Sequence, residues 1–293
     1  MAEDIRDKAY IGHNDVVALN FINPKGRFFF RRHFRQGLRS HVMEVLLQED
    51  VEIEKRGKLV NGVRWYPKAV PRHVFRIFRT RLETVDQALR EIRRLRIAER
   101  YLLPHFLAPS MEIILDYRGP KGTSPLLCGL QEYVEGQILD PWSPLPPNAL
   151  YQSLHDRLRS ESEATPRSLA SWHQATRRSI ARFIHQVKLM IAETGYIPDL
   201  AGIGNLMMTP AGAIKLVDIN NISKIAFDGT VHLDDRGYPV CDKSIEVLFI
   251  LEHKLTDRSV NRGENLYHFF LTPERMDAVR ARELAYHRSN MEE

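Results

Sequence analysis

Cysteine is almost missing from this chain of 293 residues: only Cys128 and Cys241 occur. Two thiols in apolar, strand- or helix-like surroundings give no disulfide framework and suit a reducing cytosol. Long apolar runs are missing too. The stretch Val247 to Leu251 is far shorter than a bilayer span needs. The start, MAEDIRDKAY, is charged and has no apolar core of a secretory signal, so the expected location is cytoplasmic. No internal repeat and no low-complexity tract interrupts the chain. The histidines, among them His105, His173, His185 and His253, lack the spaced partners of a zinc site. No G-x-G-x-x-G loop occurs; "KRGKLVNG" supplies two glycines in a turn-rich stretch instead.

What remains is an ordinary globular composition, 43% hydrophobic and 27% charged. The net charge of +5 is modest and much of it is local. "KGRFFFRRHFRQGLRSH" interleaves Lys25, Arg27, Arg31, Arg32, Arg35 and Arg39 with four phenylalanines. Such a segment can pack its rings on a domain and leave its cations in water. The rival reading, a nucleic-acid surface, has no accompanying motif. Residues 1–40 are therefore set apart as a basic, aromatic N-terminal segment.

From residue 41 the pattern becomes strand-like. "DVEIEK" alternates apolar and charged residues, as a half-buried strand does, and "HVFRIFR" does the same. Gly57, Asn61-Gly62 and Pro67 mark turns. "LETVDQALREIRRLRIAERYL" reads as a helix with Val85, Leu89, Ile92, Leu95 and Leu102 near one face, capped by Thr84 or Thr80. "MEIILDY" and "LLCGLQEYVEG" read as two further strands joined by the turn-rich "RGPKGTSP". The four prolines of "DPWSPLPPNAL" then stop both helix and strand. A polar loop is expected at 159–168. A helix follows from Ser171 to a C-cap at Gly195, then a hairpin in "NLMMTPAGAIKLVDIN", then helices over "DKSIEVLFILEHKL" and "TPERMDAVRARELAYHRS". The expected fold class is α+β: an antiparallel sheet with one helix over 41–134, then a mainly helical region with an embedded β-hairpin over 135–293.

One stretch places polar side chains where chemistry could occur: "YIPDLAGIGNLMMTPAGAIKLVDINNIS". Asp199 follows the helix that ends at Gly195. Asn205 opens the first hairpin strand and Asp218 closes the second, so a tight hairpin draws those two together. Oxygen ligands without cysteine or histidine suit a hard cation such as Mg²⁺, which takes one or two protein ligands and fills the rest of its shell from phosphates and water. A remaining carboxylate, Asp199, could accept or orient a hydroxyl proton. Each of the three also has a local alternative as a cap or turn former.

This ordered set resembles the protein-kinase-like superfamily, which includes bacterial small-molecule kinases: a catalytic aspartate, an asparagine a few residues on, a hairpin, then a metal-binding aspartate. The resemblance covers roughly residues 50–255. It implies a bilobal fold binding ATP and Mg²⁺, with Asp199 catalytic and Asn205 and Asp218 on the metal. It implies that Gln131 stands as gatekeeper and that Glu132 to Val134 form a hinge for the adenine of the nucleotide. It implies an ion pair between a strand cation and a helix acid, which falls on Arg76 and Glu91. The acceptor implied is a small-molecule or protein hydroxyl; a nucleic-acid partner and a membrane span are not expected.

Several positions depart from the family pattern. Arginine stands for lysine at 76, and the two side chains are not interchangeable at a phosphate clamp. Asp199 and Asn205 are six positions apart, where kinases have five, and Ile197-Pro198 replaces His-Arg. Asp218 is followed by Ile219 and Asn220. The alternative these departures leave open is a catalytically weak or inactive pseudokinase that binds nucleotide or a partner.

Overall fold

In a computed structural model the protein is described for residues 3–19, 26–34, 36–37, 39–162, 164, 167–219, 221–256 and 265–289. It is an α+β chain that divides into two compact units, residues 1–93 with 109–133 and residues 94–108 with 134–293.

The first unit is built on a five-stranded antiparallel sheet. Its elements are α1 (His13–Val17), β1 (Phe28–Arg32), β2 (Ser40–Leu47), α2 (Gln48–Arg56), the exposed ribbon β3 (Lys58–Val60) and β4 (Val63–Trp65), and β5 (His73–Phe78). Then come the start of α3 (Val85–Leu102, whose residues from 94 on belong to the second unit), β6 (Ser110–Gly119) and β7 (Gly122–Glu132). The sheet order is β1-β2-β5-β7-β6, every neighbour antiparallel. Alternation along β2 turns Met43 and Val45 into a core with Phe30, Phe75, Ile77, Leu115, Leu126 and Cys128. The first residues join that core through Ile5, Ile11, Val16 and Leu19. Phe30 of the basic, aromatic segment is buried there, while Arg31 pairs with Glu54 and Arg32 lies over the Tyr10 ring. Lys25 and Arg35 lie outside the described residues.

"DVEIEK" is a helix, not a strand. Its alternation spans only six residues, and the ends decide the outcome. Glu49 and Asp50 sit in the first turn of α2 and Lys55 and Arg56 in the last, each charge matched to the helix dipole. Val51 is the one buried residue, and Gly57 at φ 70° ends the helix. In α3 the core face is also displaced from the expected one. Val85 and Leu89 are exposed, and Ala88, Leu95, Ala98 and Leu102 are buried. Thr84 is the cap, its Oγ1 accepting the Gln87 N–H at 3.3 Å.

The second unit holds β8 (Gln137–Ile138), α4 (Pro147–Glu161), α5 (Leu169–Thr194), β9 (Tyr196–Pro198), β10 (Leu206–Met208) and β11 (Ile214–Leu216). It closes with β12 (Ile222–Lys224), α6 (Val240–Leu255), α7 (Asn265–Phe270) and α8 (Pro273–Ser289). Pro147 starts a helix rather than stopping one, because the first helical position has no intrahelical use for an N–H. That helix reaches Glu161, so the polar stretch at 159–168 begins helical. Trp172, Phe183, Val187, Leu206, Met208, Ile214, Leu216, Ile245, Leu248 and Leu251 are among the fully buried side chains of its single large core. The expected hairpin is β10 on β11, with Leu206 opposite Leu216 and Met208 opposite Ile214. Lys215 donates from Nζ to the Pro104 and Leu107 carbonyls at 3.0 and 3.3 Å.

Both cysteines are buried and unbonded to each other. Burial pushes the Cys241 thiol up to about 12, which keeps it protonated and poorly nucleophilic. Among the described residues no helix is long and apolar enough to cross a membrane.

Candidate functional site

Asp199, Asn205 and Asp218 all belong to the second unit. Asp199 is the first residue after β9, and it is held from four directions. Its N–H donates to the Asn221 carbonyl at 2.9 Å, on the chain leaving the hairpin. Its Oδ1 accepts the N–H groups of Ala201 and Gly202 at 2.9 and 3.2 Å. Its carbonyl accepts the Asn205 Nδ2–H at 3.0 Å. The next residue, Leu200, donates its N–H to Ser244 Oγ of α6 at 3.0 Å. The carboxylate is thus oriented by backbone dipoles rather than left to rotate in water.

Asn205 is fixed by the same bond. Its Nδ2 is engaged with the Asp199 carbonyl, and Oδ1 is the acceptor end of the amide. Its backbone carbonyl accepts the Val217 N–H at 2.8 Å, one step beyond the Leu206–Leu216 pair. Asp218 is the next residue along the chain. Gly202 is the floor beneath Asn205. A Cβ there would meet Asn205 Nδ2, Cγ and Oδ1 at 2.6–2.8 Å. Real Cβ atoms do not come that close, so Gly202→Ala pushes the Asn205 amide off the Asp199 carbonyl. The expected cost is about 1–3 kcal/mol of stability and roughly ten-fold in any Mg²⁺-dependent nucleotide affinity. Thermal unfolding and calorimetric titration of the variant check both; unchanged values in both would show that Asn205 does not hold this place.

Further groups surround Asp199. Trp142 donates its Nε1–H to the Ala201 carbonyl at 3.3 Å, and the Lys243 ammonium lies 4.1 Å from the centre of its ring. Lys243, buried on α6, pairs with Glu246 at 2.8 Å and Glu283 at 3.2 Å. Tyr238 donates its hydroxyl to Glu283 at 2.9 Å. Burial, then the negative charge of Glu283, Asp199 and Glu246, pushes that phenol far up and keeps it protonated. Nothing in "DKSIEV" marks Lys243 as buried except its glutamate one turn on. In the sequence Glu283 looks like any surface helix charge.

The stretch from Asp218 to Asp242 is tied down at several points. Its strand β12 pairs with β9, and the Ile225 N–H donates to the Gly195 carbonyl at 2.7 Å. Arg275 donates to the Asp228 and Thr230 carbonyls at 2.8 and 3.2 Å and to both oxygens of Asp242 at 2.5 and 3.3 Å. Arg275 also stacks on the Phe269 and Phe270 rings.

The other expected site residues lie elsewhere. Arg76, Glu91, Gln131 and Glu132 belong to the first unit and Val134 to the second. Arg76 on β5 and Gln131 on β7 are both buried, and the guanidinium donates from Nη2 to Gln131 Oε1 at 2.6 Å. Glu91 is half-buried on α3. Glu132 is exposed at the end of β7, where its N–H donates to the Pro109 carbonyl at 3.0 Å.

Among the described residues no group of three or more His, Cys, Asp and Glu side chains is placed to hold a metal ion. Asn205 with Asp218 is a smaller donor set, one amide oxygen and one carboxylate. Such a set fits Mg²⁺, which completes its shell with phosphate and water oxygens. No protein-family model matches the chain, and no curated protein matches it.

Proposed function

We propose that the chain is an ATP-dependent phosphotransferase of the protein-kinase-like fold, which moves the γ-phosphoryl group to a hydroxyl acceptor with Mg²⁺. The observation that carries this reading is the bond from Asn205 Nδ2 to the Asp199 carbonyl. It makes one rigid unit of the carboxylate that would position the acceptor and the amide that would ligate the metal. The hairpin bond from Val217 to Asn205 ties the residue before Asp218 to that unit. When bound, Mg²⁺ supplies the positive charge that offsets charge on the phosphates. Asn205 and Asp218 hold it, and Asp199 orients the acceptor hydroxyl and takes its proton. Protein chemistry in phosphoryl transfer is mainly positioning and electrostatics, which suits a site fixed by backbone bonds. Arg76 on β5, Glu91 on α3 and Gln131 to Val134, at and just beyond the end of β7, follow one another along the chain in the order that the nucleotide side of such a fold would use. The tied-down stretch between Asp218 and Asp242 makes a fixed wall near Asp199, in keeping with a small-molecule or single-protein hydroxyl acceptor.

A second reading rests on a specific contact. Arg76 stands where a phosphate-binding lysine is expected, and its guanidinium is engaged with Gln131 inside the sheet. A nucleotide- or partner-binding pseudokinase would have this feature. Release of ADP from Mg-ATP, measured across a panel of sugars, amino alcohols and hydroxyl-bearing peptides, separates the two. Acceptor-stimulated release supports the enzyme. Nucleotide binding with no release above buffer for any acceptor supports the binding module.

A further inference from the structure

The ribbon β3–β4 is exposed on both faces, although half its residues are apolar. Relative exposures are 69% for Leu59, 43% for Val60, 68% for Val63, 51% for Trp65 and 57% for Tyr66. Scattered exposed apolar residues need no explanation, but five on one short hairpin are a concentration, with Val60, Val63 and Trp65 sharing one face and Leu59 on the other. The ribbon is a built element. Asn61 and Gly62 at φ 50° and 81° form its two-residue turn. Gly57 at φ 70° lets the chain fold back where a Cβ would meet Arg64 Cγ at 2.9 Å and the Trp65 carbonyl at 3.0 Å. Arg64 then donates to the Arg56 carbonyl at the end of α2 at 2.9 Å. A two-stranded ribbon open to water on both faces is marginal by itself, so holding one rigidly away from a core calls for a partner.

We infer that this hairpin docks the protein on an anionic membrane surface. The charge around it is of one sign: residues 55–68 contain Lys55, Arg56, Lys58, Arg64 and Lys68 and no carboxylate. Of the four acids of neighbouring α2, three are paired, Glu52 with Arg56, Glu54 with Arg31 and Asp50 with Arg72. The distribution along the ribbon then selects lipid over nucleic acid. The aliphatic side chains Val60 and Val63 flank the turn, and Leu59 lies one step behind. Aliphatic tips gain by leaving water for the acyl boundary and offer nothing to stack on a base. Arg64 stands opposite Leu59, and Lys58, Trp65 and Tyr66 stand further back toward α2, with Lys58 over the Trp65 ring at 4.5 Å. Rings and cations together at that level suit the headgroup region. Three-residue strands reach about 10 Å, which matches the depth of shallow interfacial insertion.

The test is sedimentation of the full chain with vesicles of phosphatidylcholine alone and of phosphatidylcholine mixed with phosphatidylserine. The chain is expected to pellet with the anionic vesicles, to release as salt rises, and to show a blue shift in Trp emission that Trp65→Phe removes while binding persists. Leu59→Ser with Val63→Ser should weaken the association by at least about ten-fold. Lys58→Glu with Arg64→Glu should weaken it by roughly five-fold per cation removed. All four positions are exposed, and an unchanged circular dichroism spectrum checks that the fold persists. Absence of pelleting with anionic vesicles overturns the inference, as does pelleting that both double variants leave intact. So does a hairpin whose variants alter only retention of a single-stranded oligonucleotide, or only self-association without lipid.

Discussion

Asp199→Asn is expected to lower acceptor-stimulated ADP release by about 10²–10⁴-fold while leaving ATP affinity within a few-fold of the parent. The substitution keeps the shape of the side chain. An amide oxygen in place of Oδ1 still accepts the Ala201 and Gly202 N–H groups, so the turn and the Asn205 bond persist. What is lost is the negative charge and the capacity to take a proton. The binding groups assigned to nucleotide and metal, Asn205 and Asp218, are untouched. A fall in turnover with retained affinity therefore separates a chemical role for Asp199 from a structural one. Equal turnover in parent and variant would remove Asp199 from the mechanism, and a parallel loss of nucleotide binding would mark it as part of the binding site.

Arg275→Ala is expected to destabilise the second unit by about 3–5 kcal/mol. The side chains of Arg275 and Asp242 are only 9% and 2% exposed. A surface ion pair would be worth less than about 1 kcal/mol, but here the deletion strands a buried carboxylate. It also removes the ties to Asp228 and Thr230 and the stacking on Phe269 and Phe270. The pH dependence has a defined sign. Burial pushes Asp242 above its ordinary 3.8, with Arg275 pulling it back. A carboxyl that holds its proton more tightly when folded contributes stability at low pH and loses it as pH rises through its folded pKa. Without Arg275 that loss grows and extends upward. The gap between parent and variant, measured by denaturant unfolding, should therefore widen from about pH 4 to neutrality. Replacing both residues, Arg275→Met with Asp242→Leu, should recover much of the loss. A gap that is constant across pH, or a double variant no better than the single, would contradict the account.

Elements with repeated or long patterns were legible in the sequence. The 26-residue α5 and its glycine cap, the hairpin around Pro210 to Gly212 and the strands β5, β6 and β7 follow from periodicity and turn chemistry. Short patterns were not. Six alternating residues fitted strand and helix alike in α2, where terminal charges decided. Val85 and Leu89 fitted the helical period of α3 and still face solvent, while Ala88 packs with Phe78, Leu82 and Leu127, and Leu95 and Ala98 pack in the core of the second unit. The hairpin between Asn205 and Asp218 could be read from its turn residues and flanking apolar runs. The wall around Asp199 could not. Trp142, Lys243, Tyr238 and Glu283 come from distant elements, and their partners are set by helix packing that no local pattern encodes. The Arg275–Asp242 pair spans 33 positions and was hidden for the same reason.

Calorimetric titration of ATP into the parent and Asp218→Ala, each with and without Mg²⁺, tests the central claim most directly. The account predicts that the parent binds ATP more tightly with Mg²⁺ than without. It predicts that Asp218→Ala loses that increment, more than about ten-fold in affinity, while retaining the weaker Mg²⁺-independent binding. Identical Mg²⁺ dependence in both proteins, or no ATP binding by the parent at all, would contradict it.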